Sequence, residues 1–193
     1  MRRRPEAADT WRHPLVIVTV GGLPGAGKTT VARKVSEELG IKHVNIGEIF
    51  RGLAESRAMT LEEFGAFARR NPEVDTSIDA KALEVAKGGK VLLEGRLTGP
   101  MLQRNGVAGF HVWLDAPLRV RAERIASRDG LSFASAVAAT QAREKVEWDR
   151  YFEIYGIDLR ETEAYDLVVD TSDKSPEEVA GDVIAAVKKK GKK

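Results

Sequence analysis

Leu15-Val16-Ile17-Val18-Thr19-Val20-Gly21-Gly22-Leu23-Pro24-Gly25-Ala26-Gly27-Lys28-Thr29 is the stretch on which the fold turns. Its first six residues form an unbroken, mostly β-branched apolar run, the pattern of a parallel strand buried on both faces. The run passes directly into Gly22 to Thr29, a G-x-x-x-x-G-K-[ST] loop. A helix is expected from about Lys28, because Val31, Val35 and Leu39 recur in helical step and Gly40 supplies the stop. Buried strand, glycine loop and amphipathic helix in that order form a cradle for an anion. Glycine lets the backbone curl until successive N–H groups face one point, and the helix N-terminus adds positive potential.

Chemistry at such a loop is phosphate chemistry. Gly22, Leu23, Pro24, Gly25, Ala26, Gly27, Lys28 and Thr29 are the expected ATP-binding residues. Lys28 is expected to bridge the β- and γ-phosphates and the Thr29 hydroxyl to ligate Mg2+.

Outward from the loop, His43-Val44-Asn45-Ile46, Lys90–Glu94, Phe110–Leu114 and Asp166–Asp170 read as four further strands. Helices are expected from Gly47 to about Ala58, behind Pro117, over 131–150, and from about Pro176. Between Thr60 and Lys87 the pattern is helical in two pieces. Thr60-Leu61-Glu62-Glu63 has capping-box spacing, and Asn71-Pro72 breaks the run. Strands alternating with helices predict an α/β fold of the P-loop type, three layers (α/β/α) around a five-stranded parallel sheet. Residues 13–187 then form one domain, residues 1–12 a frayed polar arm, and residues 188–193 a basic tail expected to be disordered.

Bulk composition narrows the partners. The 193 residues are 42% hydrophobic and 31% charged, with a net charge of +2, which excludes nucleic-acid binding driven by overall charge. Without cysteine there is neither disulfide nor thiolate zinc site. His13, His43 and His111 share no metal-ligand spacing. The Leu15–Val20 run is too short to span a bilayer. Met1-Arg2-Arg3-Arg4 is not expected to introduce a signal peptide, since ten mostly polar residues separate it from that run. A cytoplasmic monomer without membrane or nucleic-acid partners is expected.

The arginines discriminate among P-loop functions. Glu94 closes a strand, where an acid holds a metal-bound water. Arg51, one turn into the helix after the second strand, and Arg96, just past the third, should open on the loop's edge of the sheet. Together they make a clamp for a second phosphate. Arg121, Arg124 and Arg128 follow helical spacing and could equally be a solvated stripe. Arg143, Glu147 and Arg150 share a helix face, and the plain alternative there is a salt-bridge ladder worth a few tenths of a kcal/mol per pair. Many arginines with few free bases favour an acceptor that is itself a phosphate. Such an acceptor is already ionised, and two anionic substrates need cations to bring them in line. A hydroxyl acceptor would call on Glu48 or Glu94 as base. A non-catalytic nucleotide switch using the basic tail would have no need of the dispersed arginines.

On these residues the sequence resembles the nucleoside monophosphate kinases, and among them the archaeal-type cytidylate kinases. The motifs are Gly22 to Thr30, Asn45-Ile46-Gly47-Glu48-Ile49-Phe50-Arg51, Leu93-Glu94-Gly95-Arg96-Leu97-Thr98-Gly99, Arg121-Ala122-Glu123-Arg124-Ile125, Tyr155-Gly156-Ile157-Asp158 and Val169-Asp170-Thr171-Ser172. The resemblance implies ATP-dependent phosphorylation of CMP or dCMP, with AMP or UMP as alternative acceptors. It implies a monophosphate-binding insert at about 44–88 and a lid at about 129–157. Thr30 and Arg124 would join the ATP site. Asn45, Gly47, Arg51, Glu94, Gly95, Arg96 and Glu147 would form the acceptor site. Lys28, Arg128, Arg143 and Arg150 would stabilise the transferring group, with Mg2+ on Thr29 and, through water, Glu94. Leu97 stands where bacterial cytidylate kinases have the acid that reads the base. Ile46, Val146 and Glu147 also depart from the pattern.

Overall fold

The computed structural model describes residues 16–159 and 161–191. The expected N-terminal arm, the start of the first strand at Leu15, His13 and the last two residues of the tail lie outside them. Five strands form one sheet: β1 (Ile17–Gly22), β2 (Lys42–Asn45), β3 (Val91–Glu94), β4 (Phe110–Asp115) and β5 (Leu167–Asp170). Their order is β2-β3-β1-β4-β5 and every pairing is parallel.

Apolar strands make this sheet because both its faces are covered. On one face Val18, Val20, Leu92, Val112 and Leu114 pack against α1 (Lys28–Leu39) and α8 (Pro176–Lys190), which contribute Val31, Val35, Val179 and Val183. Fully burying each of these side chains stabilises by about 1.5–3 kcal/mol. On the other face Ile17, Val91 and Leu93 meet α4 (Glu73–Lys87) through Ala82 and Ala86, and α5 (Thr98–Arg104) through Leu102. These are the three expected layers.

The remaining helices wrap the carboxyl edge: α2 (Ile46–Glu55), α3 (Leu61–Arg70), α6 (Leu118–Asp129) and the long α7 (Phe133–Tyr155). Thr60 caps α3 in the expected capping box. α7 closes on the body through Tyr151 and Tyr155, which pack with Leu97, Ile157 and Leu159.

The structure adds to the expectation and departs from it. α5 fills a stretch to which the sequence pattern assigns no element, and its Pro100, within the first helical turn, sacrifices no intrahelical bond. Ile46, expected in the second strand, opens α2, and α7 runs on to Tyr155 rather than ending near 150. Lys188–Lys190 are the last turn of α8 rather than a disordered tail; cations suit a helix C-terminus, and Lys190 Nζ also reaches Asp166 Oδ1 at 2.7 Å. Among the described residues, no helix is long and apolar enough to cross a membrane.

Candidate active site

Strand register assembles the site. β3 pairs Glu94 with Val20 on one side and with Asn45 on the other, so the glycine loop, Asn45 and Glu94 emerge at one edge of the sheet. The loop's shape depends on glycine. Gly25 has φ +81°, and a Cβ there would lie 2.5 Å from the Arg121 carbonyl oxygen.

Helix α6 holds the loop from behind. Arg121, only 4% exposed, donates through Nε to Ala116 O (2.8 Å) and through Nη1 to Pro24 O (3.1 Å), and it pairs with Glu144 of α7. Arg124 donates to Thr171 Oγ1 (3.0 Å) and Thr171 O (2.6 Å), tying α6 to the end of β5. The helical run of arginines is therefore no solvated stripe at Arg121 and Arg124. Arg128 is exposed and forks onto its neighbour Asp129, at 2.6 and 2.8 Å.

Lys28 Nζ donates across the loop to Leu23 O at 2.8 Å. Burial, with the charge of Arg96 next, pulls its pKa down to about 7 against the opposing pull of Glu94 and Glu147. Thr29 Oγ1 donates to Glu94 Oε1 at 2.6 Å, while His43 Nε2 lies 3.0 Å from Glu94 Oε2. The hydroxyl and the buried carboxylate are hard oxygen ligands at the loop mouth. Mg2+ accepts such a small protein contribution, because it keeps several waters and takes phosphate oxygens. Asn45 Oδ1 accepts from Glu48 N at 3.1 Å and so caps α2.

A cavity of about 650 Å³ opens over the loop. Residues 24–31 line one side of it, and Asn45, Gly47, Arg51, Glu94, Arg96, Arg124, Arg128 and Arg143 are among those that line the rest. The expected clamp pair, Arg51 and Arg96, thus faces the expected ATP-binding residues across one space. The other predicted residues lie elsewhere. Gly22 sits beneath the loop, with room for no Cβ against Leu114 O. Leu23 faces a separate hollow beside Trp113 and Trp148. Gly95 packs on Ile46 and Thr98.

Glu147 and Arg150 line a second, smaller cavity of about 60 Å³, which shares Gly47, Arg96 and Arg143 with the first. Arg143 Nε donates to Glu147 Oε1 at 2.9 Å, and Arg96 Nη2 lies 2.8 Å from Oε2 in an ion pair too oblique for a hydrogen bond. Burial works against the charge of Glu147, yet Arg96 and Arg143 hold its carboxyl below the usual range. Arg150, 2% exposed, lies between the rings of Phe50 (4.7 Å) and Tyr151 (4.9 Å) and beside Asp75. Burial pushes Asp75 upward in pKa, opposed by Arg150.

Sequence reasoning did not find His43, Asp75, Asp79 or the anchoring role of Arg121. The only signal for Asp75 and Asp79 is their four-residue spacing on α4, which a solvated helix face also shows.

Loop, edge carboxylate and opposed guanidinium groups on a five-stranded parallel sheet define a P-loop kinase. The profile of the cytidylate kinase-like family matches residues 17–173. The chain is 47% identical over 179 residues to a cytidylate kinase of Methanopyrus kandleri, covering 89% of this chain and 93% of that protein. It is 45% identical over 172 residues to one of Pyrococcus horikoshii, covering 89% and 88%. The chain belongs to the cytidylate kinase-like family, as the resemblance implied. Solved structures extend the fold further afield. A shikimate kinase from Acinetobacter baumannii in complex with shikimate superposes with a TM-score of 0.58 at 17% identity, covering 91% of this chain and 94% of that one. A gluconokinase from Sinorhizobium meliloti gives 0.58 at 16%, covering 94% and 96%. At such identities the likeness concerns architecture alone.

Proposed function

We infer that this protein transfers the γ-phosphate of ATP to CMP, giving CDP and ADP, and that dCMP is a second acceptor. One observation carries the reading: Arg51, Arg96 and Arg143 share a single cavity with the glycine loop and Lys28. Donor triphosphate and acceptor monophosphate repel each other, and opposed cations are what brings them end to end. Backbone N–H groups of Gly25, Gly27, Lys28 and Thr29, with the Lys28 ammonium, take the donor phosphates. Arg51 and Arg96 hold the acceptor phosphate, and Arg143 meets the transferring group from the lid. Arg124 offers its guanidinium plane to the adenine, and Arg128 reaches the outer phosphates once it leaves Asp129. Thr29 and, through water, Glu94 would hold Mg2+, which when bound supplies charge neutralisation across the β- and γ-phosphates. Glu147 would contact the acceptor ribose.

No general base is needed for an ionised phosphate nucleophile. Glu94 is in any case engaged by both Thr29 and His43, which argues against a hydroxyl acceptor. We place the protein in the cytoplasm as a monomer acting on free nucleotides, not on nucleic acid.

ADP release measured with ATP and each of CMP, dCMP, UMP and AMP tests the reading. CMP should exceed UMP and AMP in kcat/KM by at least about tenfold. Equal turnover of AMP would overturn the cytidylate assignment.

A further inference from the structure

The smaller cavity gathers polar groups that satisfy one another only in part. Among the described residues, the buried side-chain nitrogen and oxygen atoms without a hydrogen-bond partner belong to Asp75, Arg96, Thr140, Glu147 and Arg150. All but Thr140 line this cavity. Native interiors rarely leave such atoms unpaired, and a cluster of them marks a place that a ligand completes. Asp75 Oδ2 and Arg150 Nε lie side by side, 3.5 Å apart, an acceptor and a donor each with no hydrogen bond of its own. Asp75 is 7% and Arg150 2% exposed. Arg150 cannot readily swing away, because Phe50 and Tyr151 flank its guanidinium and Nη2 donates to Tyr151 Oη at 3.1 Å.

We propose that Asp75 and Arg150 form the base-reading site for the acceptor, with Asp75 accepting from the exocyclic amine of a 4-aminopyrimidine and Arg150 donating to its ring nitrogen or 2-oxo group. The proposal rests on the reading of Arg51 and Arg96 as the acceptor-phosphate clamp. From that clamp, Gly47, Arg96 and Arg143 lead directly into the smaller cavity. Cytosine presents an amine beside an acceptor, the complement of this pair. Uracil presents the reverse, and its 4-oxo group would face the Asp75 carboxylate. Adenine shares the amine–acceptor edge but brings a second ring, which needs still more room between α2, α4 and α7. Leu97 lines the same cavity but, as a hydrocarbon side chain, offers no acceptor for an amine. The acid comes instead from α4.

Two measurements test this. With the wild-type protein, the monophosphate of the 2-pyrimidinone riboside, which lacks only the amine, should lose at least about tenfold in kcat/KM relative to CMP. In Asp75→Asn the CMP:UMP ratio of kcat/KM should fall by at least about tenfold, with UMP holding or gaining, since an amide can donate to the 4-oxo group. The penalty for deleting the amine should shrink in the same variant. Equal loss on CMP and UMP would make Asp75 merely structural and overturn the proposal. So would a wild-type protein indifferent to the missing amine, a measurement that stands even if the variant does not fold. A wild-type protein preferring CMP with an unchanged ratio in the variant sinks only this proposal. One that phosphorylates no monophosphate sinks the functional reading with it.

Discussion

On the donor side of the cleft, the protein shapes its binding surface with backbone. Residues 24–29 curl over α1, Gly25 takes a φ open only to glycine, and Arg121 and Arg124 fasten the turn by donating to carbonyls. On the acceptor side the surface is made of side chains from α2, α4, the end of β3 and α7, and four buried polar atoms there lack partners. An unsatisfied buried polar group costs about 1–3 kcal/mol. On the reading proposed above, the donor loop is held by the protein itself, while the acceptor half would be completed by its ligand. A phosphate chain is the same in every nucleotide and rewards a fixed cradle, whereas a base must be told from its rivals. Discrimination comes from polar groups that remain unpaired when the wrong base enters.

The largest effect on stability should come from the anchor of the rigid half. Arg121→Met strips two carbonyl contacts and leaves Glu144, itself 22% exposed, without its partner. Urea unfolding should show a loss of about 3 kcal/mol, the lower end for a broken buried pair, along with weaker ATP binding. Adding Glu144→Gln should restore part of that loss. Next comes Lys28→Met, which should cut kcat by about 10²–10³, equivalent to about 2.7–4 kcal/mol of transition-state stabilisation. Its thermal midpoint should hold or rise, since a cation that resists burial is removed. A large fall in stability with kcat intact would make Lys28 the anchor and leave the cleft without its catalytic cation.

The same division governs what the sequence discloses. The glycine loop lies in one contiguous segment, so Gly22 to Thr29 carries its pattern, while the anchoring of that loop by Arg121, nearly a hundred residues on, does not show in it. The acceptor half is made by meetings no periodicity encodes. Asp79 and Tyr155 are 76 residues apart, and His43 and Glu94 are 51 apart. Arg51, Arg96 and Arg143 were legible because each follows a strand end or shares a helix face with other charges. Arg150 was legible as a lid residue, but its place beside Asp75 depends on how α7 crosses α4.

Asp79 offers a pH test of the acceptor half. Burial raises its pKa to about 6, despite the hydrogen bond from Tyr155 Oη, and the Asp75 charge adds to the rise. In the unfolded chain the value returns to about 3.8. Between these limits the folded state holds more protons, so this group's contribution is full below about pH 4 and is lost as pH rises through 6. Asp79→Asn keeps an acceptor for Tyr155 without the charge. It should therefore be more stable than wild type at pH 8 by about 2 kcal/mol, with the gap closing by pH 4. A gap independent of pH would mean that Asp79 is as well solvated as an ordinary surface carboxylate.

The smallest effect belongs to a contact that looks strong on geometry alone. Arg69 of α3 forks onto Glu153 of α7, at 2.9 and 2.5 Å, and joins the two helices. Both side chains are about half exposed, at 46% and 51%. Water and salt compete for every charge in such a pair, so its Coulomb gain is nearly cancelled by solvation and the ordering of two long side chains. Arg69→Ala should leave the melting midpoint unchanged within error at physiological ionic strength, and leave the KM for CMP within about twofold. Arg121 and Arg69 each engage a carboxylate on the same helix, α7, and differ chiefly in burial. A destabilisation by Arg69→Ala that rivalled Arg121→Met would mean that solvent-side pairs hold the two halves together, and the contrast between a prebuilt cradle and a ligand-completed pocket would fail.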